Sequence, residues 1–181
     1  MAKLISQSPC AGLLPKTIGT ITLSEIDPGL VTLVAPIDGG LAATSAALKA
    51  AIGVEFPEPN RVLGLGPRAM WCAMGQALVM GAKVPELQQA ACVDHSDAWA
   101  IVQIDGAMAQ DVLARLIPVD LRPSLFKRGH TARTLIGHMA GSVTRIGANT
   151  FEIMVMRSMA GTLVHDLEQA ASNIAARSKL N

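Results

Sequence analysis

The sequence predicts an α+β fold of largely antiparallel strands backed by helices. Three observations carry that reading. Short runs rich in β-branched and apolar residues recur along the chain, bounded by Gly, Pro, Asn or Asp. Two longer stretches have helical composition or periodicity. The order strand–helix–strand–strand–helix occurs roughly twice, which suits strands and helices packed in layers.

The elements follow in order. Residues 1–19 read as a loose N-terminal arm, and residues 20–181 as a single domain, since no linker is rich enough to divide it. TITLSEI (20–26) and GLVTLVAP (29–36) are two β runs joined by the turn residues Asp27-Pro28-Gly29. After Asp38-Gly39-Gly40, the alanine-rich LAATSAALKAAIG (41–53) predicts a helix that Gly53 stops. FPEPN is a loop, and RVLGLG (61–66) and RAMWCAM (68–74) are split by Gly66-Pro67. KVPELQQAAC (83–92) reads as a short helix with a proline near its first turn. AWAIVQI (98–104) is a strand, and Asp105-Gly106 opens a helix over AMAQDVLARL (107–116). Pro118 and Pro123 bracket a turn. Three β runs follow, TARTLIG (131–137), GSVTRIG (141–147) and TFEIMVM (150–156), with Gly147-Ala148-Asn149 turning between the last two. The closing helix (158–178) is amphipathic, with Leu163, Leu167, Ala170, Ala171 and Ile174 on one face.

Composition narrows the function. The 181 residues suffice for one domain with a proper core. Lys and Arg number 15 against 14 Asp and Glu, no basic run exists, and aromatics are 3%. Nucleic-acid binding needs a basic stripe or stacking rings, so that class is set aside. Hydrophobic residues reach 50%, while charged residues are only 16% against about 25% in an ordinary soluble domain. Either a sheet is buried on both faces or another subunit covers part of the surface, and the second reading is the favoured one. The longest uncharged stretch, residues 69–82, falls well short of the ~20 residues of a spanning helix, so no membrane segment is expected. Cys10, Cys72 and Cys92 lack CxxC spacing, which fits reduced thiols and a cytoplasmic location.

Each candidate site has a plainer account. DHSDAW (94–99) crowds two aspartates, a histidine and a serine together. Neighbours on an extended chain point to opposite faces, and the glycines of a nucleophile elbow are absent. Turn and strand-entry bonding by Asp94, Ser96 and Asp97 is therefore favoured over catalysis. GLGPRA (64–69) imitates the dinucleotide fingerprint, with Glu86 at the ribose-binding distance, yet a hairpin turn explains it more simply. The histidines at 95, 130, 138 and 165 lack metal spacing; His165 and Glu168 make two ligands where three or four are wanted. The nine methionines read as core filling. No catalytic, cofactor-binding or metal-binding residue is expected on this chain.

One longer pattern remains. DxSDAW at 94–99, Asp105-Gly106, DLRP at 120–123, FxxG at 126–129, ART at 132–134 and RSxA at 157–160 stand in an order that resembles the gamma subunit of heterotetrameric sarcosine oxidase. LGLGPRAMW upstream, with Trp71, is similar to the same family, and the likeness covers roughly residues 60–175. More loosely, the chain resembles the aminomethyltransferase-like folate-binding fold, which implies two ferredoxin-like βαββαβ-type halves. The resemblance implies a non-catalytic accessory subunit. The complexes of that family oxidatively demethylate sarcosine to glycine, forming hydrogen peroxide and, with tetrahydrofolate, methylene-tetrahydrofolate. Alpha, beta and delta subunits are the implied partners, and FAD, FMN, NAD, tetrahydrofolate and zinc are expected on them. His95 stands where the family pattern has glutamine. Asp94, Ser96, Asp97, Trp99, Arg133, Arg157 and Ser158 become candidates for the family signature or the interface, and an isolated chain is expected to self-associate. The alternative is a stand-alone folate-binding or one-carbon transfer protein using Asp94 or Asp97 with Trp99.

Overall fold

The structure, a computed structural model, describes residues 5–178. Its strands, numbered in chain order, form two antiparallel sheets. One contains β1 (Lys16–Ile18), β2 (Ile21–Glu25), β8 (Trp99–Asp105), β9 (Thr131–Ile136), β10 (Met139–Arg145) and β11 (Thr150–Met156), ordered β1-β2-β8-β11-β10-β9. The other contains β3 (Val31–Pro36), β4 (Val62–Leu63), β5 (Arg68–Ala73), β6 (Gln76–Met80) and β7 (Ala90–Asp94), ordered β4-β5-β6-β3-β7. Helix α1 is Leu41–Ile52, α2 is Ala109–Leu113 and α3 is Ala160–Ser178.

Period-two patterning at the centre of the six-stranded sheet sets the layering. β8 and β11 pair along seven residues, from Trp99↔Met156 to Asp105↔Thr150. Ala100, Val102 and Ile104, with Phe151, Ile153 and Val155, enter one core together with Val112 and Leu113 of α2 and Leu163 and Leu167 of α3. Trp99, Ile101 and Met154 point the other way and meet Val31, Met70, Leu78 and Met80 of the five-stranded sheet. The far face of that second sheet, through Val34, Ala69 and Val79, packs on Leu48 of α1. The order is helices, sheet, sheet, helix. The apolar surplus thus finds a place in a sheet buried on both faces, which is the first of the two explanations and not the favoured one.

Several expectations hold. The face of α3 is buried as its periodicity requires, and the last three β runs form a β9-β10-β11 meander. Gly53 closes α1 with a left-handed φ of 75°. Four differences have physical causes. Residues 83–89 form no helix: Ile37 N–H and Thr44 Oγ1–H both bind the Gln89 carbonyl, holding the chain extended into β7. The Asp27-Pro28-Gly29 turn carries the chain from one sheet to the other instead of closing a hairpin. The helix after Gly106 shortens to Ala109–Leu113, because the Arg115 and Leu116 amides bond three residues back, to Val112 and Leu113, in a tighter turn. The described part of the arm is docked: Cys10 lies wholly inside the larger core and β1 pairs with β2.

Candidate functional site

The six-residue stretch at 94–99 links β7 to β8 and so crosses from the second sheet to the first. Asp94 Oδ1 accepts from Ser96 N–H at 2.9 Å and from the Ser96 hydroxyl at 2.6 Å. The same hydroxyl accepts Val31 N–H at 3.0 Å. His95 N–H donates to the Val31 carbonyl, and Ala98 N–H to the His95 carbonyl. These bonds pin the crossover to β3, as the turn-bonding reading of Asp94 and Ser96 requires. The Ser96 hydroxyl, and then its amide, hold the Asp94 carboxyl below the ordinary carboxylate range.

Asp97 plays a different part. Its carboxyl accepts no hydrogen bond within the usual distance among the described residues, and it lines two recesses. One, of about 450 Å³, is walled by Glu25, Asp27, Ser96, Trp99, Arg157 and the segment from Ser6 to Pro9. The other, of about 550 Å³, shares Asp97 and Arg157 and adds Ala98, Met156 and Ser158. Arg157 reaches both because its amide donates to the Ala98 carbonyl at 2.8 Å, fixing the start of the 3-10 turn Arg157–Met159. Its guanidinium donates to the Gln7 carbonyl. Met156 and Met159 are exposed beside it.

Trp99 is 9% exposed and belongs to the seam between the sheets. Its indole Nε1 and the neighbouring His95 Nδ1 are buried with no hydrogen-bond partner among the described residues, and the two rings lie 6.3 Å apart. Six of the seven sequence candidates therefore gather at one end of the domain. Arg133 does not: it sits exposed on β9, near Cys72 and opposite Ser142.

Sequence reasoning missed the wall built by the first residues. Glu25 accepts the Ser8 hydroxyl at 2.6 Å and Cys10 N–H at 2.9 Å, drawing the segment across the recess. Burial first, and then the Glu25 charge, push the Cys10 thiol up to about 11. The acidic residue five positions before Leu30 carried no motif, so only the fold could pair it with Ser8.

The other sequence candidates take structural places. The first four residues of GLGPRA make the β4–β5 turn, and its Arg68, the first residue of β5, pairs with Glu152 of β11 at 2.7 Å, joining the two sheets. Among the described residues no group of three or more His, Cys, Asp or Glu could hold a metal ion, and no helix is long and apolar enough to cross a membrane.

Fold and recess together define a two-sheet α+β domain with a mixed polar and apolar surface at one end. The chain belongs to the sarcosine oxidase gamma subunit family, whose model matches residues 37–173. It is similar in structure to a chain of the heterotetrameric sarcosine oxidase from Corynebacterium sp. U-96, solved in complex with pyrrole 2-carboxylate. That likeness has a TM-score of 0.82 at 23% identity and covers 94% of this chain and 96% of the other, which establishes the fold. Comparison with curated proteins gives no match.

Proposed function

We propose that this chain is a non-catalytic accessory subunit of a sarcosine oxidase-type flavoenzyme complex. It docks on larger subunits and stabilises or positions them. The complex oxidatively demethylates sarcosine to glycine, with hydrogen peroxide and methylene-tetrahydrofolate as products. Alpha, beta and delta subunits carry FAD, FMN, NAD, tetrahydrofolate and zinc, and the assembly is cytoplasmic. The observation that carries the reading is the family match over residues 37–173. Residues 20–181 are the gamma-like domain and residues 1–19 the arm.

The docking face in this proposal is the end of the domain formed by Asp97, Trp99, Arg157 and Ser158. Its support is chemical. Arg157 shares the recess with three carboxylates, Glu25, Asp27 and Asp97, and exposed Met156 and Met159 lie close to it in the chain. A polar rim beside adaptable apolar side chains suits a protein partner. Asp94, with its oxygen committed to Ser96, shapes the face from behind, and Arg133 on β9 belongs to a separate contact.

The finer fold reading, two ferredoxin-like halves of the aminomethyltransferase-like folate-binding kind, draws its support from the five-stranded sheet alone. There the strands run β5-β6-β3-β7, with α1 following β3, as in one such half. The six-stranded sheet runs β9-β10-β11-β8-β2.

The test is a tagged capture from the host grown on sarcosine, with mass spectrometry and a visible spectrum of the eluate. Larger subunits arriving with a flavin spectrum support the proposal. A colourless eluate holding this chain alone overturns it, and a tetrahydrofolate titration then examines the folate-binding alternative at Asp97 and Trp99.

A further inference from the structure

We infer that the free edge of β7 receives an extended strand from the larger subunit on which this chain docks. The inference rests on the docking reading above and adds a second contact to it.

The geometry starts from β3. His95 N–H binds the Val31 carbonyl at 2.8 Å, and Ile37 N–H binds the Gln89 carbonyl at 3.0 Å. With the register Leu33↔Val93 and Ala35↔Ala91, the odd-numbered residues of β7 turn their backbone groups toward β3. Cys92 and Asp94 therefore direct their N–H and C=O groups away from the sheet, as does the Ala90 carbonyl. Among the described residues nothing pairs with these groups, and residues 91–94 are all exposed. β7 ends its sheet.

The other sheet ends are shielded in ways that β7 lacks. β1 is three residues long and tied to α3 by the Lys16–Glu168 pair at 2.5 Å. β4 has two residues. β9 carries Arg133 at its middle, and its start is bridged through Arg61↔His130. β7 offers five flat residues, AACVD, with no proline, no bulge and no charge before the last. Edges of that kind add strands.

Two observations choose the occupant. A five-residue edge is far below the ~20–30 residues a side that a stable interface needs, so two copies of this chain paired edge to edge would not hold together unaided. A strand from a partner already held nearby needs no such area. β7 also runs straight from Asp94 into the Ser96–Asp97 recess, so edge and docking face are continuous. Asp94 at the end of the edge excludes an acidic residue opposite it. Small Ala91 beside half-exposed Val93 leaves room for an apolar side chain on the face toward the first sheet.

The experiment compares backbone hydrogen exchange of residues 90–95 in the isolated chain and in the complex captured from the host. Added pairing slows the Cys92 and Asp94 amides by roughly tenfold or more in the complex. Cys92→Pro removes only an outward N–H and weakens capture about fivefold, while Cys92→Ser keeps the amide and captures normally. Should Cys92→Pro not fold, the exchange comparison of the unaltered protein decides alone. A complex that forms while both amides exchange as fast as in the free chain overturns the added strand and leaves the docking reading standing. Failure to capture any larger subunit overturns both. Protection that grows with the concentration of the isolated chain assigns the edge to a second copy and overturns the partner strand.

Discussion

The two sheets share one apolar seam but are covered very differently on their far sides. The six-stranded sheet lies under α2 and α3, which bury Val112, Leu113, Leu163, Val164, Leu167 and Ile174 against it. The five-stranded sheet has one helix behind it among the described residues, α1, which buries just Thr44 and Leu48, with Val54, Phe56 and Leu87 from loops beside it. Hydrophobic stabilisation follows the apolar area removed from water, so the first side holds the fold and the second is the looser one. The looser side also carries the open edge of β7. Stability and the open edge are thus separated across the thickness of the molecule.

The largest test of that separation is Phe151→Ala. Phe151 is fully buried on β11 at the centre of the larger core, and its loss costs about 3–5 kcal/mol. Denaturant unfolding of the variant then shows a midpoint lowered for the whole chain. A loss confined to one sheet would break the picture of a single cooperative unit built around the six-stranded sheet.

Next in size is Arg145→Ala. Arg145 is 3% exposed and has no carboxylate partner among the described residues; its guanidinium lies 4.3 Å from the Phe151 ring centre. It donates to the carbonyls of Leu121 and Ala148 and to Gln110 Oε1 at 3.3 Å. Burial lowers its pKa, yet the group stays charged and is held by carbonyl oxygens and the Phe151 ring face. Removing it leaves two carbonyls unmatched and a void beside Phe151, a loss of about 2–4 kcal/mol by the same unfolding measurement. Lysine lacks the fork geometry and restores little of it.

On the other side, Leu48→Ala is expected to cost about 2 kcal/mol, the low end for a buried leucine, since α1 settles onto few neighbours. Its signature is hydrogen exchange accelerated more across α1, β3 and β7 than at the amides of β8 and β11. Equal acceleration in both sheets would contradict the division.

What the sequence made legible follows the same division. β8 and β11 overlap the β runs read from the sequence, and the five α3 residues assigned to one face are all buried. Residues 90–92 of β7 read from sequence as the tail of a helix, because AACVD has no alternation to betray a strand exposed on both faces. Local propensity gave way there to two bonds on the Gln89 carbonyl. At the site, residues 94–99 read from sequence as a strand entry, and Asp97 and Arg157 stand in separate motifs of the family pattern. Glu25 and Ser8 stand in none, and a contact between residues 17 apart leaves no periodic trace.

The smallest expected effect concerns Asp94, where the looser side meets the recess. Its carboxyl is held below the ordinary range by Ser96, so the folded state binds the proton less tightly than the unfolded chain does. The stabilisation is therefore fully present above the unfolded carboxylate pKa and is lost as the pH falls through the lower folded value. Asp94→Asn retains an oxygen for Ser96 N–H but removes the charge. Its melting temperature is expected slightly below that of the unaltered protein near neutrality. The two values converge in acid, below the folded pKa of Asp94, where the native carboxyl is protonated too. A gap that stays constant down the whole acid range would mean that the Asp94–Ser96 bond works through geometry alone. The crossover would then be a hinge fixed by shape, and its charge would be free to serve the neighbouring edge.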